Sequence, residues 1–177
     1  MKKFLVIMII TAFAAGILAE SAKFAYIDTD RIMMTSDLTQ EAQTILMNEK
    51  QNWEQEIAEL DADLEGLYND YESKKMIMLE SSKQEAEEKI MELRDQRMAK
   101  VEEIFGENGK FYQKQAELME PILNKLKVVI EKVAVENNYS MIFDAATGGL
   151  LYAKPSMDIT DLVLEELEKS TGEEEEE

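Results

Sequence analysis

The stretch LMNEKQNWEQEIAELDADLEGLYNDYESKKMIM, Leu46 to Met78, decides the fold of this chain. Leu46, Trp53, Leu60 and Leu67 recur every seven residues, and Ile57, Leu64, Tyr71 and Met78 form a second series with the same spacing. The two series alternate in steps of three and four. That puts all eight side chains on one stripe of a helix, the a/d seam of a left-handed coiled coil. Lys50 and Lys74 interrupt the pattern. Trp53 and Tyr71 sit on the seam, so packing between helices is their expected role.

A seam of this kind needs a partner, and the following sequence supplies one. The pattern stops at Leu79-Glu80-Ser81-Ser82, and Ser82 with Glu85 fits a capping box, so a second helix is expected to begin at Ser82. Its stripe runs through Ala86, Ile90, Leu93, Val101, Ile104 and Phe105. GENG (Gly106 to Gly109) interrupts it, and it resumes at Phe111, Leu118, Ile122, Leu126, Val129 and Val133. From Ser36 to Pro121 there is no other Pro, and only Gly66, Gly106 and Gly109 weaken a helix. Whether the GENG segment kinks or breaks the second helix is left open. Two arms of similar length, about 70 Å each if helical, must fold back on one another because neither stripe can be buried alone. The hairpin is expected over residues 37–136, with its tip near 79–83.

The flanks have a different period. KFAYID, Lys23 to Asp28, is short and β-prone, with Phe24 and Tyr26 on one face, and Thr29 or Asp30 is placed to cap a short helix through Met34. YSMIFD (Tyr139 to Asp144) and LLYA (Leu150 to Ala153) read as two strands joined by the AATGG turn, a β-hairpin. Asp158 or Thr160 then caps a last helix that carries Ile159, Val163 and Leu167. Residues 171–177 form an acidic, solvated tail. Residues 23–36 and 137–170 together make a small β-containing body into which the helical hairpin is inserted. Three short strands with short helices make a poor core, so copies of the body are expected to associate. The fold class is therefore mainly α with a small β part.

At the start, Lys2 and Lys3 precede the apolar run Phe4 to Leu18, followed by Ala19, Ser21 and Ala22. This is the order of a secretory signal peptide, residues 1–19, with cleavage after Ala19 or Ser21. The run is about 15 residues, short of the about 20 that a membrane span needs, so no stable membrane insertion is expected after cleavage. Losing the two lysines takes the net charge from −19 to −21. Such acidity argues against nucleic acid and anionic lipid as partners.

Chemistry is scarce. With no Cys and no His, the chain lacks a thiolate, the commonest general base and the commonest transition-metal ligand. No metal, no cofactor and no catalytic residues are expected. Asp28-Thr29-Asp30 after an apolar strand resembles the Asp-x-Asp of aspartate-nucleophile phosphatases, but the alternating β/α sheet of those enzymes has no counterpart here. Helix capping is the expected role of these carboxylates. Pairs such as Asp61/Asp63, Glu87/Glu88 and Glu102/Glu103 are read as solvated faces.

The order AYIDTDRI (Ala25 to Ile32), a long charged hairpin, PILNKL (Pro121 to Leu126), VAVENNYSMIFD (Val133 to Asp144), GGLLYA (Gly148 to Ala153) and DIT (Asp158 to Thr160) closely resembles the Skp/OmpH family of periplasmic chaperones. The resemblance covers the chain after the signal, apart from the poly-Glu tail. It implies a homotrimer whose strands form a β-barrel-like body, with three hairpins hanging as tentacles around a cavity. It also implies ATP-independent holding of unfolded outer-membrane proteins in the periplasm. On that basis Phe24, Tyr26, Ile142, Leu150, Leu151 and Tyr152 are candidates for the oligomerisation body. Met76, Ile77, Met78, Leu79, Ile90 and Met91 are candidates for client contact at the tip, where Met suits promiscuous surfaces, although packing of the turn by these methionines stays equally open. A structural or adaptor coiled coil of the envelope with one dedicated partner is the alternative. The sequence departs from the basic tentacles of many family members: residues 37–72 hold eleven acids and one base, whereas 74–100 hold six acids and seven bases.

Overall fold

A computed structural model describes residues 22–174; the signal peptide expected over residues 1–19 and the last three glutamates lie outside them. Strand β1 (Phe24–Ile27) leads into α1 (Thr29–Thr35), then α2 (Asp37–Lys74), α3 (Glu80–Phe105), α4 (Lys110–Glu136), β2 (Met141–Asp144), a 3₁₀ turn at Pro155–Met157, and α5 (Thr160–Glu174).

The seam is where the heptads put it. Ile57 is buried, and Leu46, Trp53, Leu60, Leu64, Tyr71 and Met78 are half-buried, while Leu67 is left on the surface. Opposite them lie Ala86, Ile90 and Leu93, half-buried, and Ile104, fully buried. The arms are also tied by polar contacts across the seam, Arg97 to Asp61 (2.8 Å) and Lys100 to Glu56 (2.7 Å). At 38 residues, α2 is about 57 Å long.

The turn differs from the expectation by two residues. The second arm starts at Glu80, with Leu79 in an extended conformation as its N-cap and no side-chain cap bond. Ser82 lies within the helix, half-buried against the seam, so it is not free to cap. The first turn is held instead by Lys83 N donating to Leu79 O (3.0 Å), with a Lys83–Glu80 ion pair at 3.6 Å.

GENG breaks the returning helix into two. Gly106 closes α3, its N–H donating to Glu102 O, and Gly109 opens α4, its carbonyl accepting from Gln113 N. A Cβ on Gly106 would lie 2.3 Å from Glu102 O, and one on Gly109 would lie 2.4 Å from Ile104 O. Neither position admits a side chain without backbone movement, so the break is written into these two glycines. Phe105 and Phe111 meet across it at 6.1 Å, and Lys110 reaches back to Glu103 at 2.5 Å.

The body differs more from its expectation. Among the described residues there is no β-hairpin. β1 and β2 pair in parallel, Phe24 with Met141 through Ile27 with Asp144, with the whole helical hairpin between them. The other edge of β1 takes a single bridge from Tyr26 to Asp158, and Ile159 N donates to Tyr26 O at 3.0 Å. Leu150–Ala153 is no strand. The AATGG turn explains this. Asp144 Oδ1 accepts from Ala146 N, Thr147 Oγ1 donates to Asp144 O, and Gly148 takes φ 77°, a left-handed value that leads the chain off the sheet. The core lies where β1, α1, α4 and α5 meet: Ala25, Ile27, Ile32, Leu126, Val129, Val133, Ile159, Val163 and Leu167. The last helix runs to Glu174, so the expected tail from residue 171 begins in helix.

Candidate functional site

Among the described residues, apolar side chains are gathered uncovered at each end of the chain's long axis. The first is the turn between the arms. Its five residues, Lys75 to Leu79, are too few to fold inward, and of its four apolar side chains only Met78 is drawn back to half-burial. Met76 is 88% exposed, Ile77 86% and Leu79 75%. Met91 is exposed on α3, whereas Ile90 lies half-buried in the seam. Four of the six expected tip residues are thus open to solvent, and Met78 and Ile90 are packing residues.

The lysines around this turn are largely neutralised on their own helices. Lys74 pairs with Asp70, Lys75 with Glu72 (2.6 Å) and Lys83 with Glu80. The Glu72 hydrogen bond is the main cause that raises Lys75 above the usual lysine value. Just below, the Tyr71 hydroxyl donates to Glu87 across the seam, and this bond is the main cause pushing its pKa up to about 12. Tyr71 therefore closes the arms together, in keeping with the packing role expected of it.

The second surface is the outer face of the two-stranded sheet. Strand alternation sends Ala25, Ile27 and Ile142 inward to the core. Phe24 and Tyr26 face outward, and with Phe143, Leu150, Tyr152 and Met157 they line an open cavity of about 400 Å³. Leu151 is 96% exposed and Tyr152 82%. Of the six expected body residues, Ile142 alone belongs to the chain's own core. Phe143 takes its place on the outer face. The run Met141-Ile142-Phe143 is apolar throughout, so alternation could not fix its phase until the register with β1 was known. The outer edge of β2 has no partner strand among the described residues.

Three aspartates gather near this sheet, and all have structural duties. Asp28 Oδ1 accepts from Arg31 N (2.9 Å) as the N-cap of α1, the capping role expected of it, though assigned in the sequence to Thr29 or Asp30. Asp144 Oδ2 accepts from Thr29 Oγ1 at 2.8 Å. Asp158 Oδ1 accepts from Thr160 N (2.9 Å) and Thr160 Oγ1 (2.5 Å). Burial works to raise the Asp158 pKa, but the Thr160 bonds, the Arg31 charge and the Tyr26 hydroxyl outweigh it and hold the carboxyl below its ordinary value. Among the described residues, no three acidic side chains are grouped to hold a metal ion, and no helix is long and apolar enough to cross a membrane.

A long helical hairpin on a small parallel strand pair, apolar at both extremities, defines a class of tentacled, mainly helical proteins. The comparisons make the assignment narrower. The sequence profile of the family described as "Outer membrane protein (OmpH-like)" matches residues 23–167, and the chain belongs to that family. An uncharacterized protein of Aquifex aeolicus (strain VF5) is 32% identical over 169 residues, covering 96% of this chain and 98% of the relative. The crystal structure of a protein from Caulobacter crescentus CB15, described provisionally as an outer membrane chaperone (OmpH-like), superposes with a TM-score of 0.76. It is 16% identical, with 84% of this chain and 85% of that one covered. The family expected from the sequence motifs is the one found.

Proposed function

We propose that this chain is an ATP-independent holdase chaperone of the periplasm that keeps unfolded outer-membrane proteins from aggregating. Membership of the OmpH-like family supports the reading, as does the likeness to a structure described provisionally as an outer membrane chaperone. The observation that carries it is the placing of Met76, Ile77 and Leu79, three large apolar side chains left almost wholly in water at the free end of the stalk. Exposed apolar side chains at a soluble protein's extremity mark an interaction site. A flexible Met among them suits clients of no fixed shape.

The working form is a homotrimer. Phe24, Tyr26, Phe143, Leu150, Leu151 and Tyr152 would be covered by neighbouring copies, with the free edge of β2 and the Leu150–Ala153 segment available for pairing between chains. An uncovered strand edge beside an apolar face is an association site. Three stalks around one axis would enclose the client, and many weak contacts acting together would hold it without ATP. The acidity of α2, with eleven acids against one base over residues 37–72, keeps the stalks apart and disfavours nucleic acid. Light scattering of the signal-free chain tests the assembly, for which a trimeric mass is expected. Diluting a urea-unfolded outer-membrane β-barrel protein into it tests the activity. Suppressed turbidity at one trimer per client is the expected result. A monomer, or unchanged aggregation, would remove the proposal.

A further inference from the structure

The methionines of this chain are not equivalent. There is no Cys, so their thioethers are the only sulfurs. Met33, Met78, Met119 and Met157 are half-buried. Met76 is the most exposed of the described methionines, at 88%, followed by Met34 at 77%. Met34 lies at the foot of the stalk, on α1, whereas Met76 lies at its tip between Lys75 and Ile77. The most exposed methionine among the described residues is thus within the surface on which client binding has been placed.

We propose that Met76 is an oxidation site through which peroxide-class oxidants loosen the grip of the tip. The inference rests on the holdase reading. In the reaction the thioether sulfur attacks one oxygen of the peroxide and the O–O bond breaks. Sulfur is oxidised to the sulfoxide, the peroxide is reduced, and its other oxygen leaves as water. The product is polar and carries a strong hydrogen-bond acceptor where an adaptable apolar side chain stood. Oxidation at a packed methionine perturbs a fold; at Met76, which touches little, it changes only the surface. The step is reversible by methionine sulfoxide reductases, so the site acts as a switch. Met34 supplies the internal comparison, being nearly as open but remote from the tip.

The test uses the full mature chain, hydrogen peroxide and a urea-unfolded outer-membrane β-barrel protein. Peptide mass mapping should find Met76 oxidised ahead of Met33, Met119 and Met157. Client affinity should fall about tenfold as Met76 is converted, in line with the loss of one buried apolar side chain, and return after reduction by the reductase. M76L, compared with its own untreated affinity, should show no further fall after peroxide, because leucine has no sulfur to oxidise. M34L should lose affinity as the parent does, and M76Q should be weak without any oxidant. Circular dichroism should be unchanged throughout. The inference is overturned if a binding-competent protein keeps its affinity with Met76 fully oxidised, or if M76L is as sensitive as the parent. An untreated chain that holds no client would remove the holdase reading and this inference with it, a result distinct from the other two.

Discussion

The foot of the stalk and its upper half are built from the same heptad alphabet but held in different ways. At the foot, α4 turns Leu126, Val129 and Val133 into a core shared with α5, α1 and β1, and Ile122 one turn earlier on the same helix is buried as well. In the upper half two helices face each other alone, and most seam residues are only half-buried. Polar contacts across the arms, Asp61 to Arg97, Glu56 to Lys100 and Tyr71 to Glu87, make up part of the difference. A pair of helices can cover one stripe but cannot enclose it. The body should therefore unfold as a unit, with the upper stalk the more compliant part.

Several substitutions sharpen that contrast. Leu167→Ala removes a fully buried side chain from the body and should lower stability by about 2–5 kcal/mol in urea unfolding. The same change at half-buried Leu64 should cost well under half as much. Equal costs would break the comparison. Gly109→Ala should cost about 1–3 kcal/mol, because the new Cβ would meet Ile104 O. Gly66→Ala, with open space around it, should add about 0.5–1 kcal/mol by removing unfolded-chain entropy. Thermal unfolding of both variants gives the signs.

Acid should act on the body first. Asp158 has its folded pKa lowered, so its contribution is present above the ordinary carboxyl value of 3.8 and is lost as pH falls through the lowered folded value. Asp158→Asn should flatten the acid limb of the stability curve while leaving the salt dependence of the stalk intact. The smallest effect is expected from Arg97→Met. This bridge is about half exposed on its Asp61 side, so its loss should cost no more than about 1 kcal/mol and vanish at high salt.

The stalk was legible from sequence because a seven-residue repeat reports directly on which side chains share a face. The GENG break was visible as an interruption, but its completeness depends on two Cβ clashes with carbonyls that only the folded backbone defines. The sheet was legible as strands and not as pairing. Phe24-Ala25-Tyr26-Ile27 and Met141-Ile142-Phe143 have β-prone composition, yet nothing local says that they pair in parallel across the hairpin, and LLYA carries the same composition without becoming a strand. Ser82 shows the same limit, since its capping pattern is correct and its position within the seam overrides it. At the tip, exposure separates Met76, Ile77 and Leu79 from Met78, a distinction that composition could not make.

The parallel pairing of Phe24 with Met141 has a kinetic corollary. A contact between residues so far apart along the chain is ordinarily slow to form, because a long loop must close before any ladder bond compensates. A hairpin that zips from its turn, by contacts between near neighbours, would shorten the loop still to be closed at each step, until the two strands arrive side by side. The stalk would then also be the scaffold on which the sheet is assembled, and slowing the turn should delay the sheet.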